Sequence, residues 1–441
     1  MTTDRDLAML TGEAAPGLLA SALGTAGGEL VSWRVRDVDH RPGGSTTASY
    51  RAVVRWADEE RTEMLGVTTS AVDPAAPGVL SLSDGDRTVS VWRFPQDPGL
   101  PALAAATDPR ALASVLRSFG IGDVEEDGAS LRVTVRAYRP RRRAVIEVVA
   151  PTARLFVKVL RPTRVRDLNE RHRLLSEAGM PTPHSLGWTH EGLLLLQPLH
   201  GTSMRKALWD PGSALPTPGQ LVEVLDRLPE AVLELPRRTS WTEGAAHYGA
   251  LLGAALPAVA DRAAGLAGEI SRLTATGGPD EPVHGDFYEA QLLIRDGQIT
   301  GLLDVDTAGP GRRADDLACL VGHVAVLGTM RPEHRERLTA LAASWFDELS
   351  FRGGRRSAAS HGALGRQGAP AVDPADLAAR VAGVVLSLAT GPHRVQERDW
   401  QDSTRRRLDV VEHWVGRADR LHRSVDGLRR LGREPGVARR R

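Results

Sequence analysis

The chain has 441 residues, 41% of them hydrophobic and 25% charged, and a formal net charge of +1. That length predicts two or three domains at about 150 residues each, with apolar content ample for a large core. The balanced charge gives no field to draw nucleic acid or an acidic membrane, the single cysteine excludes an internal disulfide, and no apolar run approaches the roughly 20 residues that span a bilayer. A soluble cytoplasmic protein is expected, with Cys319 a buried thiol in the apolar run Leu317 to Val321.

Residues 1–30 open with a short amphipathic stretch and a glycine loop, Gly24 to Gly28. From Leu30 to Arg93 the pattern is β-like: Val31 to Arg36 alternates, Arg41-Pro42-Gly43-Gly44 turns, and Tyr50 to Trp56 continues. Asp84-Gly85 predicts a hairpin into Thr88 to Trp92. Asp108-Pro109 places a capping side chain before a proline at the first helical position, predicting a helix to Phe119.

A second β-rich block follows. Leu131 to Arg136 alternates, Arg139-Pro140-Arg141-Arg142-Arg143 turns, Ala144 to Val149 returns, and Leu155 to Leu160 continues the sheet. This order echoes residues 33–67; a degenerate internal repeat is one reading and chance likeness of two hairpins is the other. Arg166 to Ala178 predicts a helix, Gly192 to Pro198 a buried strand running into a crossover, and residues 201–280 helices broken by prolines. Asp296-Gly297 is a tight turn between two strands. A mainly helical tail runs from Asp315, interrupted by Gly353 to Pro370, which predicts a mobile loop; Asp373-Pro374 caps an apolar helix closing near Thr390-Gly391. Gly391 to Gln396 is a surface-loop candidate with an acceptor contact as the sharper reading, and the terminal arginines, Arg429-Arg430 and Arg439 to Arg441, predict a frayed tail.

The chemistry concentrates in residues 283–306. Phosphoryl transfer asks a protein for a carboxylate that orients the attacking hydroxyl, oxygen ligands for a metal, and a cation for the phosphates. His284-Gly285-Asp286 with Gln291 five residues after the aspartate matches the spacing of a kinase catalytic loop, and Asp304 follows at the end of an apolar strand. The chain has only two lysines, Lys158 and Lys206, among 56 basic residues. Lys158 survives inside the strand Leu155 to Leu160, where a compact ammonium meets phosphate as an arginine fork does not. The plain alternative is an edge lysine with its head in solvent. Glu170, on the next helix, is a candidate partner for Lys158, and a solvated helix charge is the competing reading.

His284-Gly285-Asp286 with Gln291, then Leu303 to Asp306, Gly309 and Asp315-Asp316-Leu317-Ala318, resembles the aminoglycoside phosphotransferase and choline kinase-like family across roughly residues 130–330. The resemblance implies an α+β, two-lobed protein-kinase-like fold, with a β-rich N-lobe over 129–200, a helical C-lobe over 201–441, and residues 1–128 as an additional β-rich, cap-like extension. It implies Asp286 as catalytic carboxylate, Gln291 and Asp304 as magnesium ligands, and Lys158, Glu170, Arg141 and Gln197 around ATP or GTP. His284 then fixes the loop, Asp306 adds an outer-sphere contact or caps a turn, and Asp316 caps or braces its own helix.

Two departures from the family pattern matter. Gln291 stands where the family usually has asparagine, a feature shared with maltokinase-like sugar kinases that also carry an N-terminal extension. The glycine-rich phosphate loop is replaced by the arginine-rich turn Arg139 to Arg143. The expected acceptor is a sugar, amino sugar or aminoglycoside, although residues 201–280 lack the acidic excess a polycation would want; a choline site would want an aromatic cage, for which Trp209, Trp241, Tyr248 and Trp345 are available, with helix packing the favoured reading of each. Two other classes stay open: a catalytically weak nucleotide-binding regulator of the same fold, and an extension that tethers the kinase to a partner protein.

Overall fold

A computed structural model describes residues 5–431 except 42–43, 84, 86, 276 and 353–371. Asp84, the expected loop Gly353 to Pro370 and the arginines from 439 onward therefore lie outside the described residues. The chain divides into two compact units, Met1–His200 with Pro392–Trp400, and Gly201–Gly391 with Gln401–Arg441.

The first unit holds two five-stranded antiparallel sheets. Helices α1 (Arg5–Thr11) and α2 (Ala15–Gly24) precede β1 (Gly28–His40), β2 (Thr46–Trp56), β3 (Glu59–Thr68), β4 (Val79–Ser83) and β5 (Thr88–Arg93). Helices α3 (Leu103–Thr107) and α4 (Pro109–Ser118) precede β6 (Arg132–Arg139), β7 (Arg143–Val149) and β8 (Arg154–Leu160), then α5 (Pro162–Glu177), β9 (Ser185–Trp188) and β10 (Leu193–Leu196). The spatial orders are β1-β2-β3-β5-β4 and β6-β7-β8-β10-β9, the same path through each sheet. Each sheet also buries its apolar face under its own helix pair: Leu10, Leu19 and Leu23 meet Tyr50, Val54 and Val67, while Leu103, Leu112 and Leu116 meet Ile146, Val157 and Leu195. Alternating side chains make this possible, since every second residue of a strand points at the helices.

Local signals explain the helix ends. The Asp108 side chain accepts from the Ala111 amide, capping α4 as its Asp-Pro start predicts. Helix α5 begins at Pro162, earlier than Arg166, because a proline at the first helical position loses no bond it could have made. The two sheets meet through a buried polar knot: Tyr138 Oη donates to Asp97 Oδ2 at 2.7 Å, Trp92 Nε1 donates to Tyr138 Oη at 3.1 Å, and the Arg141 amide donates to Asp97 at 2.8 Å.

The second unit is mainly helical. It contains β11 (Thr202–Ser203), α6 (Met204–Leu208), α7 (Pro218–Asp226), α8 (Ala245–Ala255) and α9 (Ala260–Leu273) ahead of the strands β12 (Glu281–Val283), β13 (Leu292–Arg295), β14 (Gln298–Leu302) and β15 (Gly309–Gly311). Helices α10 (Arg313–Met330), α11 (Arg335–Arg352) and α12 (Pro374–Ala389) follow. Short α13 (Gly391–Arg394) leads into α14 (Trp400–Leu431), so Arg429 and Arg430 extend a helix and are not a frayed tail. Helices α10 and α12 are buried almost all round. Arg380, 4% exposed, donates to Asp376 at 2.9 Å, Asp315 at 2.8 Å and the Ala275 carbonyl at 3.1 Å. No single described helix is long and apolar enough to cross a membrane.

Candidate active site

The loop from His284 to Gln291 lies between β12 and β13, and its shape follows from few residues. Gly285 has φ +79°, and a Cβ there would sit 2.6 Å from the Thr307 carbonyl oxygen, so the loop's first turn requires glycine. Phe287 is fully buried and anchors the loop from below, contributing about 1.5–3 kcal/mol by burial.

His284 ties the loop to the second acidic corner. Its Nδ1 accepts from the Asp286 amide at 3.3 Å, so the proton sits on Nε2, which donates to the Leu303 carbonyl at 2.9 Å. Burial lowers its pKa, keeping the ring neutral in this tautomer. That matches the expected loop-fixing role. The Thr307 hydroxyl closes the circuit by donating to the His284 carbonyl at 2.8 Å.

Asp316 behaves differently from the expectation that it caps or braces its own helix. Its carboxylate accepts the His284 amide at 2.7 Å and the Gly285 amide at 2.8 Å, while the N-cap position of α10 is Arg312. The first turn of α10 thus holds the His284–Gln291 loop by two amides 31 and 32 residues away. Burial pushes Asp316 up to about 7, against the pull of those two amides and Arg313.

Asp304 follows β14 in a left-handed conformation, φ +55°, which turns its side chain back toward the loop. Gln291 is 7% exposed, its side-chain nitrogen lies 3.4 Å from Asp304 Oδ2, and its backbone carbonyl accepts the Leu303 amide at 2.8 Å. The sequence-predicted pair therefore meets. A carboxylate and a side-chain amide side by side are hard oxygen donors of the kind magnesium takes, with waters and phosphates completing its shell. Their donor types fit that ion, with the Gln291 amide turned over so that its oxygen, not its nitrogen, stands beside Asp304.

A second group of side chains surrounds Asp286 that sequence reasoning missed. Arg205, just after β11, donates through Nε to Glu289 Oε1 at 2.7 Å, and its amide donates to the Glu289 carbonyl at 3.2 Å. Glu289 is wholly buried, and burial raises its pKa despite that arginine. Tyr288 stacks on His323 of α10 with ring centroids 3.9 Å apart. Burial holds the His323 imidazole neutral, its pKa pushed down to about 3. Cys319 is buried as expected, but its Sγ lies 3.9 Å from Asp286 Oδ1, and burial with the Asp286 charge pushes the thiol well up. Of the aromatic candidates, Tyr248 is near enough to Asp286 for that charge, after burial, to raise its hydroxyl, and Trp241 lies 6.1 Å from Tyr248. Trp345 is buried, and Trp209 packs under Arg331.

The remaining candidates lie in the first unit. Lys158 sits mid-strand on β8, paired with Val145 and Leu194, and is 8% exposed, unlike a solvated edge lysine. Glu170 is exposed and accepts from Arg166 at 3.2 Å. Gln197 is exposed beyond β10, its amide donating to the His184 carbonyl at 2.9 Å. Arg141 has φ +58°, and its guanidinium donates to Thr68 Oγ1 at 3.1 Å and the Ala71 carbonyl at 3.3 Å. Those contacts engage it with β3 and the loop after it. Of the segment Gly391 to Gln396, Gly391–Arg394 forms the short helix α13 and buries Pro392, while Val395 and Gln396 turn beyond it with Val395 exposed; from Pro392 onward it is grouped with the first unit.

Residues 140–359 match the model of the phosphotransferase enzyme family. No curated protein matches the chain. Among solved structures, the choline kinase of Streptococcus pneumoniae is 11% identical, with 69% of this chain and 97% of that chain covered at a TM-score of 0.45. The Plasmodium vivax ethanolamine kinase is 12% identical over 68% and 88% of the two chains at 0.43. A macrolide 2'-phosphotransferase from Brachybacterium faecium is 17% identical over 68% and 97% at 0.39.

Proposed function

Because the chain belongs to the phosphotransferase enzyme family and has its protein-kinase-like fold, we propose that it is a small-molecule kinase that moves the γ-phosphoryl group of ATP to a hydroxyl. The observation that carries this reading is the meeting of Gln291 and Asp304 beside the loop that presents Asp286. Asp286 accepts the proton of the acceptor hydroxyl or orients it for in-line attack. His284 and Asp316 hold that loop still, which matters because a misplacement of about 1 Å costs roughly 100-fold in rate. Gln291 and Asp304 would hold magnesium, which when bound neutralises charge on the phosphate oxygens. Lys158 supplies the phosphate cation, with Gln197 and Glu170 in supporting positions; the contacts of Arg141 favour a bracing role for it.

The acceptor in this reading is a small polar alcohol: a sugar, an amino sugar or an aminoglycoside. Tyr248, near Asp286, offers a face on which a sugar ring can lie. The longer side chain of Gln291 favours a second reading, a nucleotide-binding regulator with weak turnover. ATP consumption over a panel of sugars, amino sugars, aminoglycosides and amino alcohols separates the two. Asp286→Asn should lower kcat by about 100- to 10,000-fold while nucleotide binding is kept; equal turnover by wild type and variant ends the assignment.

A further inference from the structure

We propose that Asp286, Cys319 and His323 form a binding site for a thiophilic divalent ion such as Zn2+, and that an ion held there takes the catalytic carboxylate out of service. The second half rests on the reading of Asp286 given above; the first half does not.

Ligand atoms of these three side chains all lie within 4.8 Å of one another. Cys319 and His323 are four residues apart on α10, so one helix face presents both. A tetrahedral zinc ion brings sulfur and nitrogen ligands to about 3.5 Å from each other, from bond lengths of about 2.3 and 2.0 Å. Closing the remaining gap takes side-chain rotation of Asp286 and His323, both only partly buried.

A second observation points the same way. Glu289 Oε2 is buried without a hydrogen-bond partner, 3.9 Å from His323 Nδ1. A histidine that ligates through one nitrogen almost always gives the other N–H to a carboxylate or carbonyl, and this oxygen stands ready for it. Its twin oxygen is already held by Arg205, and Tyr288 stacks on the ring to fix its plane. That leaves Nε2 for the metal. Sulfur and imidazole favour zinc, cobalt or cadmium over magnesium, so this site and the all-oxygen pair Gln291–Asp304 select different ions. Binding forms a metal–sulfur bond as the thiol proton leaves to water.

The test uses the full chain and Co2+ as an optical probe. Cys319 is the one cysteine, so any thiolate-to-cobalt charge-transfer band must come from it. One equivalent of Co2+ should give that band, with the intense visible absorption of a tetrahedral site, and Zn2+ should displace it. Cys319→Ser should abolish the band, while His323→Gln and Asp286→Asn should each weaken Co2+ binding by at least about 10- to 100-fold. Thermal melts of each variant confirm that the fold is kept, and the His323 and Asp286 variants decide the matter if the serine variant misfolds. No band in wild type, or a band equally strong in both other variants, overturns the site. In turnover assays with excess Mg2+, Zn2+ should inhibit wild type about 100-fold more potently than Cys319→Ser. A cobalt band without zinc inhibition keeps the site and sinks the catalytic role of Asp286; inhibition without a band sinks the site alone.

Discussion

Replacing Asp316 measures how far the loop that carries Asp286 depends on a residue outside it. Asp316→Asn keeps the shape but turns an amide N–H2 toward one of the two backbone donors, His284 or Gly285, that the carboxylate now accepts at 2.7 and 2.8 Å. Above about pH 7, where Asp316 is charged, one charge-assisted bond becomes a donor facing a donor and the other becomes a neutral bond. Hydrogen bonds to charged groups are worth about 1.5–3 kcal/mol, so the variant should lose about 2–3 kcal/mol. Asp316→Ala strands both amides in a site 1% exposed and should lose about 3–5 kcal/mol. Urea unfolding reads this as a lower midpoint with the slope unchanged, and kcat should fall because Asp286 directly follows the two held amides. An asparagine variant with wild-type midpoint and wild-type kcat would show that His284, Phe287 and Thr307 suffice to hold the loop.

Three further outcomes follow from packing and burial. Arg380→Met leaves Asp315 and Asp376 without their shared cation and should destabilise the second unit by about 3–5 kcal/mol in denaturant titration, with the double variant Arg380→Met/Asp376→Leu recovering part of it. Gly66→Ala would put a Cβ 2.2 Å from the Trp92 indole, which cannot swing away while it is buried and bonded to Tyr138; a loss of about 1–3 kcal/mol in thermal melts is expected. Burial, then the charge of His40, pushes His393 down to about 4. A depressed pKa means the unfolded chain binds the proton first, so this contribution is present above about pH 6.5 and is lost as pH falls through 4. His393→Phe should remove a slope of up to about 1.4 kcal/mol per pH unit between those limits, read from unfolding free energies at several pH values.

Local features of the site were legible in the chain because they depend on neighbours in sequence. The His-Gly-Asp loop, the hairpin turning at Asp296-Gly297, and the Asp-Pro starts of α4 and α12 each carry their own chemistry within a few residues. Gln291 is set by its spacing from Asp286 and Asp304 by its place after an apolar strand, and the resemblance brought the two together. Partnerships across long separations gave no such signal. Arg205 and Glu289 are 84 residues apart, and one arginine among so many offers nothing to single it out. Asp316 lies within the motif, but a carboxylate in a helix's first turn usually serves its own helix, so nothing local in the chain points to the loop it holds. Cys319 was rightly placed in the core, yet the neighbourhood of Asp286 was invisible, since the face that α10 turns to the loop depends on packing by α12.

Residues 392–400 have a consequence for biosynthesis. They are grouped with the first unit, where Arg394 is the strongest opposite charge on the half-buried Asp37 carboxylate and His393 packs edge-on against Trp400. A ribosome delivers this piece almost two hundred residues after His200, so the first unit emerges early and stays unfinished until most of the second has been translated. Nascent chains halted before Pro392 should carry a looser, protease-sensitive leading half, and supplying the missing stretch should tighten it.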